Sequence, residues 1–259
     1  MAPEDRTVRI VRFRIGGSAS YGVADGSGVA RLKGTPFDGI RYSNQCFNLN
    51  EIKLLPPCNP SKVVAIGLNY KSHAAELKYD LPGSPLMFLK PSTAIIGPGE
   101  DIVYPLISKQ VDFEGELGIV IGKQAHLVPT EEALKYVFGY TCFNDVTARD
   151  LQKQDGQWTR AKGFDTFAAI GPWIETQLDT SALKLETRLN GKLRQSGNTA
   201  DLIFPVDELV SSVSHVMTLL PGDVIASGTP AGIGPMQHGD AVEVEIEGIG
   251  TLVNKVRRY

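Results

Sequence analysis

The chain is expected to be predominantly β with α+β character, and three features of its 259 residues carry that expectation. Short apolar runs recur between glycine and aspartate turns, a two-residue hairpin signal stands at Asn190-Gly191, and the helical patterns are too few to alternate regularly with the strands. A doubly wound α/β sheet is thereby disfavoured. The absence of an internal repeat or low-complexity tract argues against a solenoid or propeller.

Between residues 7 and 56, the runs VRIVRFRI, ASYGVAD and GVARL read as short strands, and LLPPCNPSK punctuates their end. A domain boundary is therefore expected near Pro60, with a small N-terminal β domain over 1–59 and a larger domain over 60–259. The apolar strand VVAIG opens the second part, and NYKSHAAELKYD after it has the Ala and Leu spacing of a short helix or an ordered lid. Helical patterns follow at Thr130 to Val137, just after Asp145, and at Val206 to Leu219. Asn190-Gly191 between LKLETRL and KLRQS predicts a type I′ turn, and PGDVIASG and HGDAVEVEIEG each predict a turn feeding a strand.

Composition narrows the function classes. Apolar residues make up 42% and charged residues 21%, and no run approaches the roughly 20 apolar residues of a membrane helix, so a soluble protein is expected. The start MAPEDRTVRIVRFRIGG lacks the basic lead and apolar core of a secretory signal. Cys46, Cys58 and Cys142 form no C-x-x-C pair, which suits a reducing cytoplasm. With a net charge of −3 and scattered basic residues, nothing marks a nucleic-acid or membrane surface, and a small-molecule partner is expected.

The stretch VDFEGELGIVIG sets Asp112, Glu114 and Glu116 against Phe113, Leu117, Ile119 and Ile121. Strand residues two apart project to one side about 6.6 Å from each other, so two long carboxylates can converge on one cation. Spacing alone leaves all three acids as candidates, with a solvated strand face as the alternative. Gly115 and Gly118 favour a site, because glycine inside a strand marks the close approach of a ligand or another backbone. In CFNDVTARDLQKQ an apolar strand ends at Asp145, and Thr147 with Asp150 predicts a capping-box start to a helix. Asp145 at that strand end is a third candidate ligand or a simple turn aspartate. An all-carboxylate set suits Mg²⁺ or Mn²⁺ better than zinc, which lacks a His or Cys cluster here.

The segments IGLNYKSHAAE, FLKPST, VDFEGELGIVIG, NDVTARDLQ, WTRAKGFDTFAAIGPW, LNGKLRQ and PGDVIASGTPAGIG, in this order, resemble the fumarylacetoacetate hydrolase family over nearly the whole chain. The resemblance implies a mixed β-sandwich roll, commonly dimeric, with Glu114, Glu116 and Asp145 on Mg²⁺ or Mn²⁺ and Asp112 outside the ligand set. Family substrates are 2-oxo acids with a second carbonyl or carboxylate. Family activities include C–C hydrolysis, decarboxylation and keto–enol isomerisation.

Further residues acquire roles on the same basis. His73 and Glu76 stand three apart, which puts them on one helix face where the carboxylate orients the imidazole; a surface pair is the alternative. The resemblance sets this pair on a lid over the metal. Lys162 follows Trp158 and precedes Phe164 and Phe167, so an apolar wall with one cation is expected; by resemblance it supports charge on an enolate. Arg149 and Gln152 share a helix face, Gln152 matching a position that binds substrate oxygen and Arg149 serving either substrate or the acidic ligands. Gly228-Thr229-Pro230 has no P-loop pattern around it, and by resemblance Thr229 bonds a substrate carboxylate. Lys90 in FLKPS matches a recurrent family position without an assigned role, and His126, His215 and His238 read as structural or exposed.

The expected function is metal-dependent hydrolysis of a C–C bond in an acylpyruvate-type 2-oxo acid, fumarylpyruvate- or fumarylacetoacetate-like. Oxaloacetate decarboxylation and 2-hydroxyhepta-2,4-diene-1,7-dioate isomerisation are the alternatives. A metal-stabilised binding protein without turnover is disfavoured by the intact His73, Glu76 and Lys162.

Overall fold

The computed structural model describes residues 8–258, and most of its regular structure is strand, in three sheets. The largest sheet has twelve strands. At one end lie Tyr42–Phe47, Val29–Leu32, Ser18–Ala24 and Arg9–Ile15, with Lys53–Leu55 also paired to Arg9–Ile15. Ile10 pairs with Ile174 across the next ladder, so this N-terminal meander continues directly into Ala168–Glu175, Val137–Asp145, Gly115–Ile121, Val224–Ala226, Val63–Gly67 and Leu86–Lys90. The order mixes antiparallel and parallel pairs, as where Val224–Ala226 runs parallel to Val63–Gly67.

A five-stranded sheet of Lys192–Asn198, Lys184–Leu189, Ala241–Ile246, Gly250–Arg258 and Asp101–Tyr104 packs on the central strands. Alternation along Gly115–Ile121 sends Leu117, Ile119 and Ile121 into a core shared with Leu185, Val244 and Leu252 of that second sheet. Val120 points the other way, into a second core with Val63, Phe143 and Val224. The strand is therefore buried on both faces throughout.

The Asn190-Gly191 turn forms as its chemistry predicts. Both residues have positive φ, 53° and 73°, and Leu189 pairs with Lys192 across them. The helix that begins at Val206 ends at Val216, short of the expected Leu219, because Leu219 exchanges backbone hydrogen bonds with Ala125 in an isolated bridge. No described helix is long and apolar enough to cross a membrane.

Candidate metal centre and its pocket

Two sheets meet at one residue to build the site. Val111 to Gly122 reads as a single alternating strand, but the backbone divides at Glu114. Val111–Phe113 joins a small three-stranded sheet with Thr147–Ala148 and Gly234–Pro235, while Gly115–Ile121 joins the large one. The break follows from how Glu114 spends its peptide groups: its N–H donates to Asn144 Oδ1 at 3.0 Å and its carbonyl accepts from the Asp145 N–H at 2.9 Å. These bonds set Asp145 beside Glu114. The ligand atoms of Glu114, Glu116 and Asp145 all lie within 4.8 Å of one another.

A solvated acidic face is excluded by burial: Asp112, Glu114, Glu116 and Asp145 are 2, 5, 1 and 1% exposed. Carboxylates removed from water need partners. Lys162, from the short helix Thr159–Lys162, donates to Glu114 Oε2 at 2.8 Å and to Asp145 Oδ2 at 2.6 Å. Lys90, fully buried at the end of an edge strand, bonds Asp145 Oδ1 and the Val146 carbonyl. Arg149 bonds Glu114 Oε1 and reaches Asp112 Oδ2 at 2.8 Å, so the structure seats it as a partner of the acids. Asp112 is further engaged by Gln110 Nε2 at 3.0 Å.

Electrostatics sort these acids. Burial raises the Glu114 carboxyl, but Lys162 and Arg149 outweigh it and hold the group below the ordinary carboxylate range. Glu116 goes well above that range, through burial first and then the charges of Asp145 and Glu114. Its one side-chain hydrogen bond is from the Gly228 N–H at 2.8 Å, with no cation paired to it among the described residues. Burial likewise lowers the Lys90 ammonium to about 8 against the opposing pull of Asp145. Three converging oxygen ligands, one lacking a counter-charge, fit a hard divalent cation.

The two site glycines prove to be packing glycines. A Cβ on Gly115 would sit 2.1 Å from Thr187 Oγ1, and one on Gly118 would sit 2.9 Å from Thr141 Cγ2, so protein atoms make the close approach the strand pattern predicts. Thr147 is no helix cap. Ala148 holds the cap position of Arg149–Asp155 without a side-chain bond, while the Thr147 hydroxyl lies 3.0 Å from Glu114 Oε1 and 2.9 Å from the Asp145 carbonyl. Asp150 instead accepts from Ser108 Oγ at 2.7 Å and Lys109 N at 2.8 Å.

The carboxylates open into a cavity of about 520 Å³ whose wall includes His73, Lys162, Arg149, Gln152 and Thr229. His73 is 7% exposed on the helix Lys71–Leu77, with Nδ1 2.9 Å from Glu76 Oε2; Glu76 Oε1 accepts from the Gly232 N–H at 3.1 Å. The helix and the loop after Thr229 are thereby tied together. Opposite them, Trp158 packs edge-on to Phe88, with ring centroids 5.1 Å apart, and Lys162 Nζ lies 5.0 Å from the Phe88 centroid. The apolar wall thus comes from Trp158 with Phe88. Phe164 and Phe167, expected there, stack on each other with Phe167 in the main core.

Gln195 is the residue that sequence reasoning missed. Its Oε1 accepts from the Gly115 N–H at 2.9 Å, and its Nε2 donates to Thr229 Oγ1 at 2.7 Å and to the Pro230 carbonyl at 2.8 Å. Thr229 Oγ1 donates to the Gly115 carbonyl at 2.8 Å. The peptide between Glu114 and Glu116 is held on both sides, and the single Thr229 proton is committed to it. The LNGKLRQ segment held the signal, but only as one motif among several. Of the remaining histidines, His126 is exposed, His215 Nδ1 contacts the Ser211 carbonyl and His238 Nδ1 accepts from the Arg258 N–H.

Comparison with known proteins adds a lineage to this geometry. The profile described as Fumarylacetoacetate (FAA) hydrolase C-terminal matches residues 62–257, and one described as Rv2993c-like, N-terminal matches residues 8–57. The oxaloacetate tautomerase YisK of Bacillus subtilis is 42% identical over 81% of this chain and 75% of its own length. The crystal structure of a 5-carboxymethyl-2-hydroxymuconate delta-isomerase from Mycobacterium smegmatis superposes with a TM-score of 0.92 at 44% identity, covering 97% of this chain and 100% of that one. A maleylpyruvate hydrolase from Sphingobium sp. SYK-6, in complex with manganese(II) ion and pyruvate, gives a TM-score of 0.81 at 31% identity, covering 96% and 99%. With the matched profile spanning most of the chain and the same fold in these relatives, the chain belongs to the fumarylacetoacetate hydrolase family.

Proposed function

We propose that this chain interconverts the keto and enol forms of a small 2-oxo dicarboxylic acid, with Mg²⁺ or Mn²⁺ held by Glu114, Glu116 and Asp145. The observation that carries the reading is the placement of His73, paired from behind with Glu76, and the carboxylate–lysine cluster in the wall of one cavity. A divalent cation in the acidic triad supplies Lewis-acid polarisation of the 2-oxo group. The protein's own residues then handle the proton. Glu76 accepts from His73 Nδ1–H, which leaves Nε2 as the base that takes a proton from the carbon next to the 2-oxo group and delivers it to the enolate oxygen, and carries it back from oxygen to carbon in the reverse direction. Lys162 offers positive charge to the developing enolate oxygen, and Trp158 and Phe88 shield that charge from water. Gln152, whose Oε1 accepts from Arg149 at 2.5 Å, turns its amide protons to substrate oxygen.

The relative named oxaloacetate tautomerase, at 42% identity, and the neighbour named an isomerase, at 44%, support this reading over hydrolysis. Hydrolysis of an acylpyruvate C–C bond is the second reading. The same base would deprotonate water, and the maleylpyruvate hydrolase neighbour, at 31% identity, supports it. Loss of enol absorbance from oxaloacetate, with Mn²⁺ or Mg²⁺ present, tests the first; pyruvate release from acylpyruvates and CO₂ release from oxaloacetate test the rivals. Enol decay no faster than in metal-containing buffer sinks the tautomerase reading. Pyruvate release without enol decay installs the hydrolase in its place.

A further inference from the structure

A site that grips a 2-oxo acid at one end still has to choose among substrates by what their other end carries. The helix Arg149–Asp155 begins four residues after Asp145, and Arg149, Gln152 and Lys153, at i, i+3 and i+4, all line the cavity. Exposure rises along it: Leu151 is buried, Gln152 half-buried and Lys153 exposed. One helical turn advances about 5.4 Å, which sets Lys153 roughly one turn farther from the triad than Arg149.

Lys153 also differs in charge balance from the other cations of the wall. Arg149 and Lys162 are each spent on carboxylates of the site. No side-chain or backbone acceptor pairs with the Lys153 ammonium among the described residues. Leu86, Trp158 and Tyr79 line the same cavity, so an anion brought there leaves part of its water and meets one uncommitted cation.

We propose that Lys153 is a specificity-determining residue that binds the distal carboxylate of a 2-oxo dicarboxylic substrate. The assignment rests on the 2-oxo acid reading of the pocket. It names what that reading leaves open, namely which side chain receives the second carboxylate and so sets the preference for it over an acyl chain or an amide.

The test pairs oxaloacetate with 2-oxosuccinamate, in which the distal carboxylate is a neutral amide, on the Mn²⁺-loaded full chain. Binding is read by calorimetry and turnover by enol absorbance. The parent should favour the dicarboxylate, and Lys153→Ala should cut the ratio of the two affinities about tenfold, the loss expected for one charge-assisted contact at a partly wet site. Lys153→Arg should keep most of the ratio, and Lys153→Glu should invert it. A ratio equal in parent and Lys153→Ala overturns the assignment, as does a parent that binds the amide equally well. If the parent binds both compounds with the predicted ratio but turns over neither, the tautomerase reading falls while Lys153 keeps its role.

Discussion

The same side chains occur twice in this molecule under opposite conditions. On the outer face of the second sheet, Lys184 Nζ lies 2.6 Å from Glu186 Oε1, and Arg188 bridges Glu186 and Glu245, reaching Glu245 Oε2 at 2.7 Å. At the site, Lys90, Lys162 and Arg149 bond to Asp145, Glu114 and Asp112 over similar distances. In the ladder Glu186 itself is largely covered, but Lys184, Arg188 and Glu245 stay open to water and every acid has a cation, so each pair is a small surplus. In the site, four carboxylates, Asp112, Glu114, Glu116 and Asp145, face three cations, and the unbalanced charge cannot be given to water. It falls on Glu116, whose carboxyl is pushed up by burial first and then by the charges of Asp145 and Glu114. Ion-pair geometry is therefore a poor guide to what a charge does; burial with an unfilled balance marks the site.

The largest effect should come from removing the acids that carry that imbalance. Glu116→Ala or Asp145→Ala should abolish both Mn²⁺ binding and turnover, read by calorimetry and enol decay. Asp112→Asn, whose parent residue is satisfied by Arg149 and Gln110, should keep the metal. Retention of one equivalent of Mn²⁺ at unchanged affinity in either alanine variant would remove the triad from the ligand set.

His73 and Glu76 lie between the two extremes, their side chains 9 and 38% exposed. Their pairing should matter to proton transfer and little to the metal. His73→Ala should lower turnover by about 10²-fold with Mn²⁺ affinity unchanged, and Glu76→Gln should lower it less because the side chain keeps its shape. An unchanged rate in His73→Ala would leave the proton to another group of the wall.

Much of this contrast was legible in the sequence, and the part that was not has a common cause. The two-residue period made Asp112, Glu114 and Glu116 candidates, the strand end added Asp145 and the helical spacing added His73 with Glu76, because each is a local regularity; the family resemblance, and not the spacing, set Asp112 aside and favoured the functional reading of the others. Periodicity could not show that the strand breaks at Glu114, since the break depends on Asn144, thirty residues away. Nor could it show that Gln195 and Gly228 arrive from the far side of the chain to hold Gly115 and Glu116. Thr147 was misread as a cap for the same reason: its local pattern fits a capping box, but a buried carboxylate competes for its hydroxyl. The type I′ turn at Asn190-Gly191 is the counter-case, where local backbone chemistry alone decides.

Stability gives a sharper version of the comparison. Lys90→Met removes a fully buried cation from Asp145 while preserving volume, and Asp145 keeps only Lys162. Breaking one side of a buried pair costs roughly 3 kcal/mol, which should appear as a lowered urea midpoint in metal-free protein. Saturating Mn²⁺ should recover much of that loss, since a divalent cation replaces the missing charge and binds only the folded state. A metal-free Lys90→Met midpoint equal to the parent's would mean that burial does not govern this pair.

The smallest effect belongs to the ladder, and its smallness is the control on which the comparison depends. Arg188→Ala deletes both of that residue's ion pairs, yet Glu186 retains Lys184 and Glu245 remains half-exposed to water. Neither acid is left buried without a partner, so nothing comparable to the Lys90 penalty arises. The urea midpoint of Arg188→Ala should match the parent's within measurement error at physiological salt. At low salt a slight destabilisation should emerge and then vanish on salt addition, as the screening length contracts from about 30 Å at 0.01 M to about 8 Å at 0.15 M. The Lys90→Met loss, in contrast, should persist at both salt concentrations because the site is shielded from solvent ions. If Arg188→Ala lost as much stability as Lys90→Met, or if both losses faded equally with salt, the two clusters would be electrostatically alike and burial would no longer separate them.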